Sequence, residues 1–289
     1  MLCAVTHVTK THMKLILLTA VTMVAFAANS VLNRAAVSGI GMEAVDFGVV
    51  RLVSGALALA GLVAWQRRGF ALGGLGRGVA VVGLLAYIFG FSLAYRGLDA
   101  GLGALVLFGV VQITMFGGAV VARDEVPVTR WIGACLALSG LVWLLMPTGG
   151  PAISVVHVVM MASAGLGWGI YSLQGRREGD ATQATAMNFL LAAPVALVFG
   201  IALGMDLQMP VAGVWLAVVS GVVTSGLGYA LWYAILPSLG ASRAAVAQLS
   251  VPVIAMAGGM VVLSEPLTLR FVGAAALVIS GVLVSMRKG

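Results

Sequence analysis

Two apolar runs near the C-terminal end, about 244–263 and about 269–286, are separated only by Ser264-Glu265-Pro266-Leu267-Thr268. Each run is long enough to cross a ~30 Å hydrocarbon layer as a helix. A charge and a proline between them belong at a membrane surface, not at its centre. Runs of this kind recur from end to end. Barrel strands would instead show short alternating segments, so the pattern predicts an all-α integral membrane protein.

The paired run occurs twice. Residues 101–146 again hold two apolar runs with an acid, a proline and a threonine between them. Adding 140 moves Glu125 onto Glu265, Arg130 onto Arg270, Gly133 onto Gly273 and Gly118 onto Gly258. A period of this kind decides the architecture. With an odd number of spans in each half, the two copies face opposite ways, as in many secondary transporters.

The spans can be counted. The predicted helices are about 15–34, 45–65, 78–95, 101–121 and 130–146, then 154–173, 182–203, 211–236, 244–263 and 269–286. Residues 1–12 read as a weakly patterned tail. Pro147 with Gly149-Gly150-Pro151 marks the seam. The expected organisation is ten transmembrane helices as two inverted five-helix repeats, 13–147 and 152–288, around a central cavity. One chain then supplies both sides of a pathway, so a monomer could suffice.

Charge supports a topology and excludes a partner. The net charge is +7, but the sixteen Lys and Arg are scattered in ones, twos and threes between apolar runs. They read as topology signals, not as a nucleic-acid surface. With the N-terminus in the cytoplasm, twelve of them fall on the cytoplasmic side, and Arg34, Arg96 and Arg270 on the other. Both termini are therefore expected in the cytoplasm of a bacterial-type inner membrane protein. Cys3 and Cys135 imply no disulfide framework. No cofactor or metal cluster is expected.

Several motifs resemble the EamA-type repeat of the drug/metabolite transporter superfamily. In the second half these are the Pro237 turn, the Ala-rich start 241–247, Val251-Pro252-Val253, Ser264-Glu265-Pro266-Leu267, and Gly273 with Ser280-Gly281-Val282. Trp168-Gly169 resembles the family's Trp-Gly in the first helix of a repeat, and Arg51-Leu52 its Arg-Phe. Helix one lacks the Trp and carries Phe26-Ala27-Ala28-Asn29-Ser30 there. The whole is similar to the YddG-type exporters of aromatic amino acids. That resemblance implies export by alternating access through a cavity lined mainly by helices 1, 3, 4, 6, 8 and 9.

Polar residues deep in spans are the first candidates for contacting a solute. Asn29, Gln112 and Gln248 offer amide donors and acceptors suited to a zwitterion; the alternative is interhelical bonding. Tyr87, Phe108, Trp168, Tyr171 and Tyr229 could hold an apolar or aromatic side chain, with Ser172 beside them. Their alternative is a place facing lipid, and Tyr95, Trp65 and Trp131 are assigned to the interface belt. Pro252 frees a carbonyl one turn past Gln248 and reads as a hinge. Arg51 reads as snorkelling or paired with Asp46 or Glu43.

All nine carboxylates lie in loops or near span ends. Proton coupling through a buried acid is therefore not expected. No histidine sits at the depth of a serine to activate it, so an enzyme is not expected either. The expected partners are the bilayer and a small-molecule substrate, an amino acid or similar metabolite. Threonine-like amino acids, nucleosides or drugs, with proton coupling, are the alternative cargo.

Overall fold

The computed structural model describes residues 2–66, 69–70, 72–121, 128–146, 153–176 and 178–285. Its elements are α1 (Leu2–Arg34), α2 (Ala44–Trp65), α3 (Leu75–Ala94), α4 (Ala100–Val121), α5 (Val128–Leu145), α6 (Val155–Gly175), α7 (Ala181–Ala202), α8 (Val211–Val219), α9 (Gly228–Gln248), α10 (Ser250–Leu263) and α11 (Leu269–Ser285). Two stretches, Ala35–Gly39 and Ser220–Leu227, wind more widely, as π-helix. Among the described residues there is no strand.

Seven of the described helices are long and apolar enough to cross a membrane, and Ser250–Leu263 and Leu269–Gly281 are shorter apolar helices. The bundle is covered outside by large apolar side chains such as Leu57, Val82, Val195 and Val261. A surface of that kind suits hydrocarbon, and would be unusual for a chain in water.

Three boundaries differ from expectation. Residues 2–12 continue α1 rather than forming a tail. The predicted break near Pro237 is absent, because α9 carries that proline inside a continuous helix. In an apolar surround, staying helical satisfies more backbone groups than a turn would. The interruption falls instead at Leu249, between α9 and α10. Pro252 explains it: its ring displaces the carbonyl four residues back, that of Gln248. The acidic turn around Glu125 lies outside the described residues.

Helix packing follows a pattern. The pairs α2–α7, α5–α11 and α4–α10 are in contact, as are α3–α6, α4–α6, α1–α9 and α1–α10. The α5–α11 seam is close because small residues allow it. A Cβ on Gly140 would meet Leu277 at 2.9 Å, and one on Gly273 the Trp143 ring at 2.5 Å. Small residues on such a face let two helices approach closely.

Candidate functional site

The middle of the bundle is built from rings. Phe26 on α1 meets Trp168 on α6, Tyr229 and Trp232 on α9, with centroids 5.2, 5.7 and 5.6 Å apart, all edge to face. Tyr87 on α3 lies 5.0 Å from Trp168 and 6.1 Å from Tyr229. Trp168 and Tyr229 are 4.6 Å apart, and Tyr171 stacks on Trp168 and on Tyr233. Each such pair contributes about 0.5–1.5 kcal/mol beyond the area it buries. All seven rings are buried: Phe26 and Tyr87 are 4% exposed and the others less. Where these rings meet they fill the space in which the central cavity was expected.

Polar groups are threaded through the rings. Tyr229 donates to the Tyr87 hydroxyl at 2.9 Å. Arg51 on α2 donates from Nη2 to Tyr229 at 2.6 Å and to Tyr87 at 3.2 Å, and from Nε to Ser225 at 2.8 Å. Its guanidinium carbon lies over Tyr87 and Phe91, 5.3 and 5.2 Å from the ring centres. The sequence-based pairing of Arg51 with Asp46 or Glu43 is therefore wrong. Asp46 accepts from the Asp206 N–H at 3.2 Å, and Glu43 pairs with Arg96. Arg51 turns inward instead and is fully buried. A buried charge without an opposite partner is costly, by several kcal/mol in most settings.

Asn29 is held by the wide segment. Its Oδ1 accepts from Ser220 at 2.8 Å, from Ser225 at 3.3 Å and from Thr224, while its Nδ2 donates to the Thr224 carbonyl at 3.2 Å and to Tyr229 at 3.4 Å. The wide winding at 220–227 brings three hydroxyls onto one amide, and exposes a carbonyl to it. Glycines let this segment approach α2. A Cβ on Gly221 would strike the Arg51 carbonyl, and one on Gly55 would meet the Gly221 carbonyl at 2.7 Å.

The other expected residues are distributed more widely. Gln248 is buried and accepts from Trp168 Nε1 at 3.1 Å. Ser172 is buried one turn from Trp168, and its hydroxyl has no hydrogen-bond partner among the described residues. Phe108 is buried in the same apolar core, and Gln112 is half-buried farther along α4. Pro252 is buried beside the α9–α10 interruption. Tyr95 is not a belt residue: it is fully buried, edge to face with Phe91 at 4.7 Å. Trp65 and Trp131 are 82% and 52% exposed, as a belt requires.

The sequence placed Arg51 elsewhere and did not single out Phe26, Phe91, Trp232 and Tyr233 as site residues. A signal for three of these rings was present. Adding 142 takes Phe26 to Trp168, Ser30 to Ser172, Tyr87 to Tyr229 and Phe91 to Tyr233. The same shift takes Arg51 to Ala193, so the charge has no counterpart in the second half.

One end of the bundle carries a second polar cluster. Arg34 donates to Glu265 and to Asp99, each at 3.2 Å, and to the Tyr95 carbonyl at 3.0 Å. Both Glu265 oxygens accept from the Ala100 N–H, at 3.1 and 2.9 Å. Glu265 thus complements the dipole of α4, not that of α11, which it precedes. Burial raises its carboxyl above the ordinary glutamate range, against the pull of Ala100 and Arg34. The opposite end has Arg77, which donates to Glu178 at 3.2 Å, Asn188 at 3.1 Å and the Ala184 carbonyl at 3.0 Å.

A helical bundle with a lipid-type surface defines a multi-pass membrane protein, and the comparisons give its family. A family model described as the EamA-like transporter family matches residues 156–287. An uncharacterized protein of Pseudomonas aeruginosa, PA1977, is 43% identical over 269 residues, covering 92% of each chain. An uncharacterized transporter of Archaeoglobus fulgidus is 26% identical over 224 residues, 73% of this chain and 76% of its own. A solved crystal structure matches with a TM-score of 0.69 at 20% identity, over 93% of this chain and 97% of that one, which shows a shared fold. The chain belongs to the EamA-like transporter family, in the drug/metabolite transporter superfamily. It is a transporter of small solutes, not an enzyme.

Proposed function

We propose that this protein exports small metabolites, amino acids with aromatic or other apolar side chains foremost, from the cytoplasm across the inner membrane by alternating access. The observation that carries the reading is the ring cluster, in which Tyr87 of the first half and Tyr229 of the second share a hydrogen bond of 2.9 Å. A pathway between two related halves would open by parting such a contact. Aromatic faces with polar tips suit an apolar solute that carries polar groups.

The packing pattern supports two inverted five-helix repeats, 13–147 and 152–288, within ten spans, α8 to α10 supplying two of them. Exchanging halves turns α3–α6 into the contact of α1 with 220–227 and α9, and α4–α6 into α1–α9 and α1–α10, while α2–α7, α4–α10 and α5–α11 map onto themselves. Asn29, Tyr87, Phe108, Gln112, Trp168, Tyr171, Ser172, Tyr229 and Gln248 then face the solute, with Pro252 at a hinge. Both termini are cytoplasmic, and a monomer suffices.

Described carboxylates sit only in loops or at helix ends, away from the ring cluster, which supports transport without proton coupling through an acid at the centre of the bundle. The test is efflux of labelled L-phenylalanine from proteoliposomes. Export should exceed that of protein-free vesicles at least tenfold, with no pH gradient imposed. Flux that demands a pH gradient would remove the uncoupled mechanism, and absence of amino-acid flux would remove the substrate class.

A further inference from the structure

The mechanism above leaves one strong group unused. Arg51 has no exposed surface, and the groups it donates to, Ser225, Tyr87 and Tyr229, are all neutral. Its Nη1, with two N–H groups, has no hydrogen-bond partner among the described residues. The Tyr87 and Phe91 rings attract the cation without neutralising it. No neutralising group comes from its surroundings: helices α1, α3, α4, α6, α7, α9 and α10, and the stretch 211–227, contain no aspartate or glutamate. On α2 itself the acid is Asp46, which faces Asp206. Tyr87 accepts from both Arg51 and Tyr229, so its own proton also remains to be given.

We infer that Arg51 is the receptor for a carboxylate on the transported solute, so that the pathway selects an apolar or aromatic body bearing one negative charge. This rests on the transporter reading of the same ring cluster. A carboxylate placed on the free edge of the guanidinium would accept from Nη1 and from the Tyr87 hydroxyl, and would supply the missing countercharge. Its apolar body would lie against Phe91 and Trp168. A phosphate monoester fits less well, because a second negative charge would itself remain buried without a partner. A purely cationic amine would add a second positive charge to the first. Arg51 is therefore a selectivity device present in one half of the molecule and absent, as Ala193, from the other.

The experiment measures binding to the purified full chain by isothermal titration, with probes that share one phenyl body. 3-Phenylpropionate carries the acid alone, 2-phenylethylamine the amine alone, and L-phenylalanine both; hexanoate replaces the ring with an alkyl chain. The acids should bind at least tenfold more tightly than 2-phenylethylamine, and R51Q should weaken 3-phenylpropionate at least tenfold while moving 2-phenylethylamine less than twofold. Equal binding of acid and amine to the unaltered protein overturns the inference, and this comparison needs no variant that could fail to fold. Unchanged affinity of R51Q for the acid, or no binding of either acid, overturns it as well. Binding of 3-phenylpropionate without L-phenylalanine upholds the receptor and removes the amino-acid cargo. Arg51-dependent binding without any flux upholds the receptor and removes the transport reading.

Discussion

Arg34 and Arg51 are both largely withdrawn from water, yet they are partnered in opposite ways. Arg34, at the end of α1, holds two carboxylates, Asp99 and Glu265, and draws together the turn before α4 and the turn before α11. Arg51, in the centre, holds two phenols and a serine. The first arrangement is complete in its charges and ties elements to each other. The second holds its elements while keeping a positive charge uncompensated. Near a surface, water lowers the cost of an ion pair; among rings it does not, and the centre carries the less complete arrangement. Stability and selectivity are thus assigned to different depths of one bundle.

The comparison breaks most severely at Gly221. A side chain there would meet the backbone of Arg51, which cannot step aside as a flexible side chain would. Gly221→Leu should therefore lose most folded protein, as judged by size exclusion in detergent, with overpacking costing ~3 kcal/mol or more. Gly61→Ala, at an open position on the same neighbouring helix α2, is the control and should be neutral or mildly stabilising. Equal tolerance of both changes would show that the approach of 220–227 to α2 is not what sets the centre.

A smaller effect is expected from Asn29→Leu. It removes the acceptor shared by Ser220, Thr224 and Ser225. Thr224 keeps the Ser220 carbonyl as a partner, so the loss should be about 1–3 kcal/mol, read from the midpoint of denaturant unfolding. An unchanged midpoint would mean that the hydroxyls find partners as good elsewhere.

The smallest effect belongs to the end cluster and depends on pH. The folded Glu265 carboxyl titrates above its unfolded value, so folding favours its protonated form. That contribution is complete below the ordinary glutamate value of about 4.3, and it is lost as pH rises through the raised value. The melting temperature of the unaltered protein, relative to that of Glu265→Gln, should accordingly fall from about pH 4 to about pH 8. A rise of the unaltered protein relative to the variant over the same range would show that the ion pair with Arg34 outweighs burial.

Much of the fold was legible because lipid imposes a length and a polarity on every segment. The long apolar runs became helices. The α9 boundary was not legible, since a proline halts a helix in water more readily than one whose neighbours are apolar. Trp168, Tyr171, Tyr87 and Tyr229 were identified by depth alone, and the structure brings all four together. Arg51 was misread because Asp46 stands five residues before it, and sequence proximity gives no hint of which side of a helix faces a partner. The wide winding at 220–227 left no composition signal at all; its serines, threonine and glycines would serve equally well in an ordinary helix.

That wide winding has a mechanical consequence. A coil with surplus backbone holds a residue in reserve. Tightening it to regular pitch would feed that residue onward and swivel everything beyond by about 100° about the long axis. Tyr229 lies just beyond Leu227, so so small a rewinding would carry its hydroxyl away from Tyr87 and out of reach of Arg51, like a key turned in its barrel.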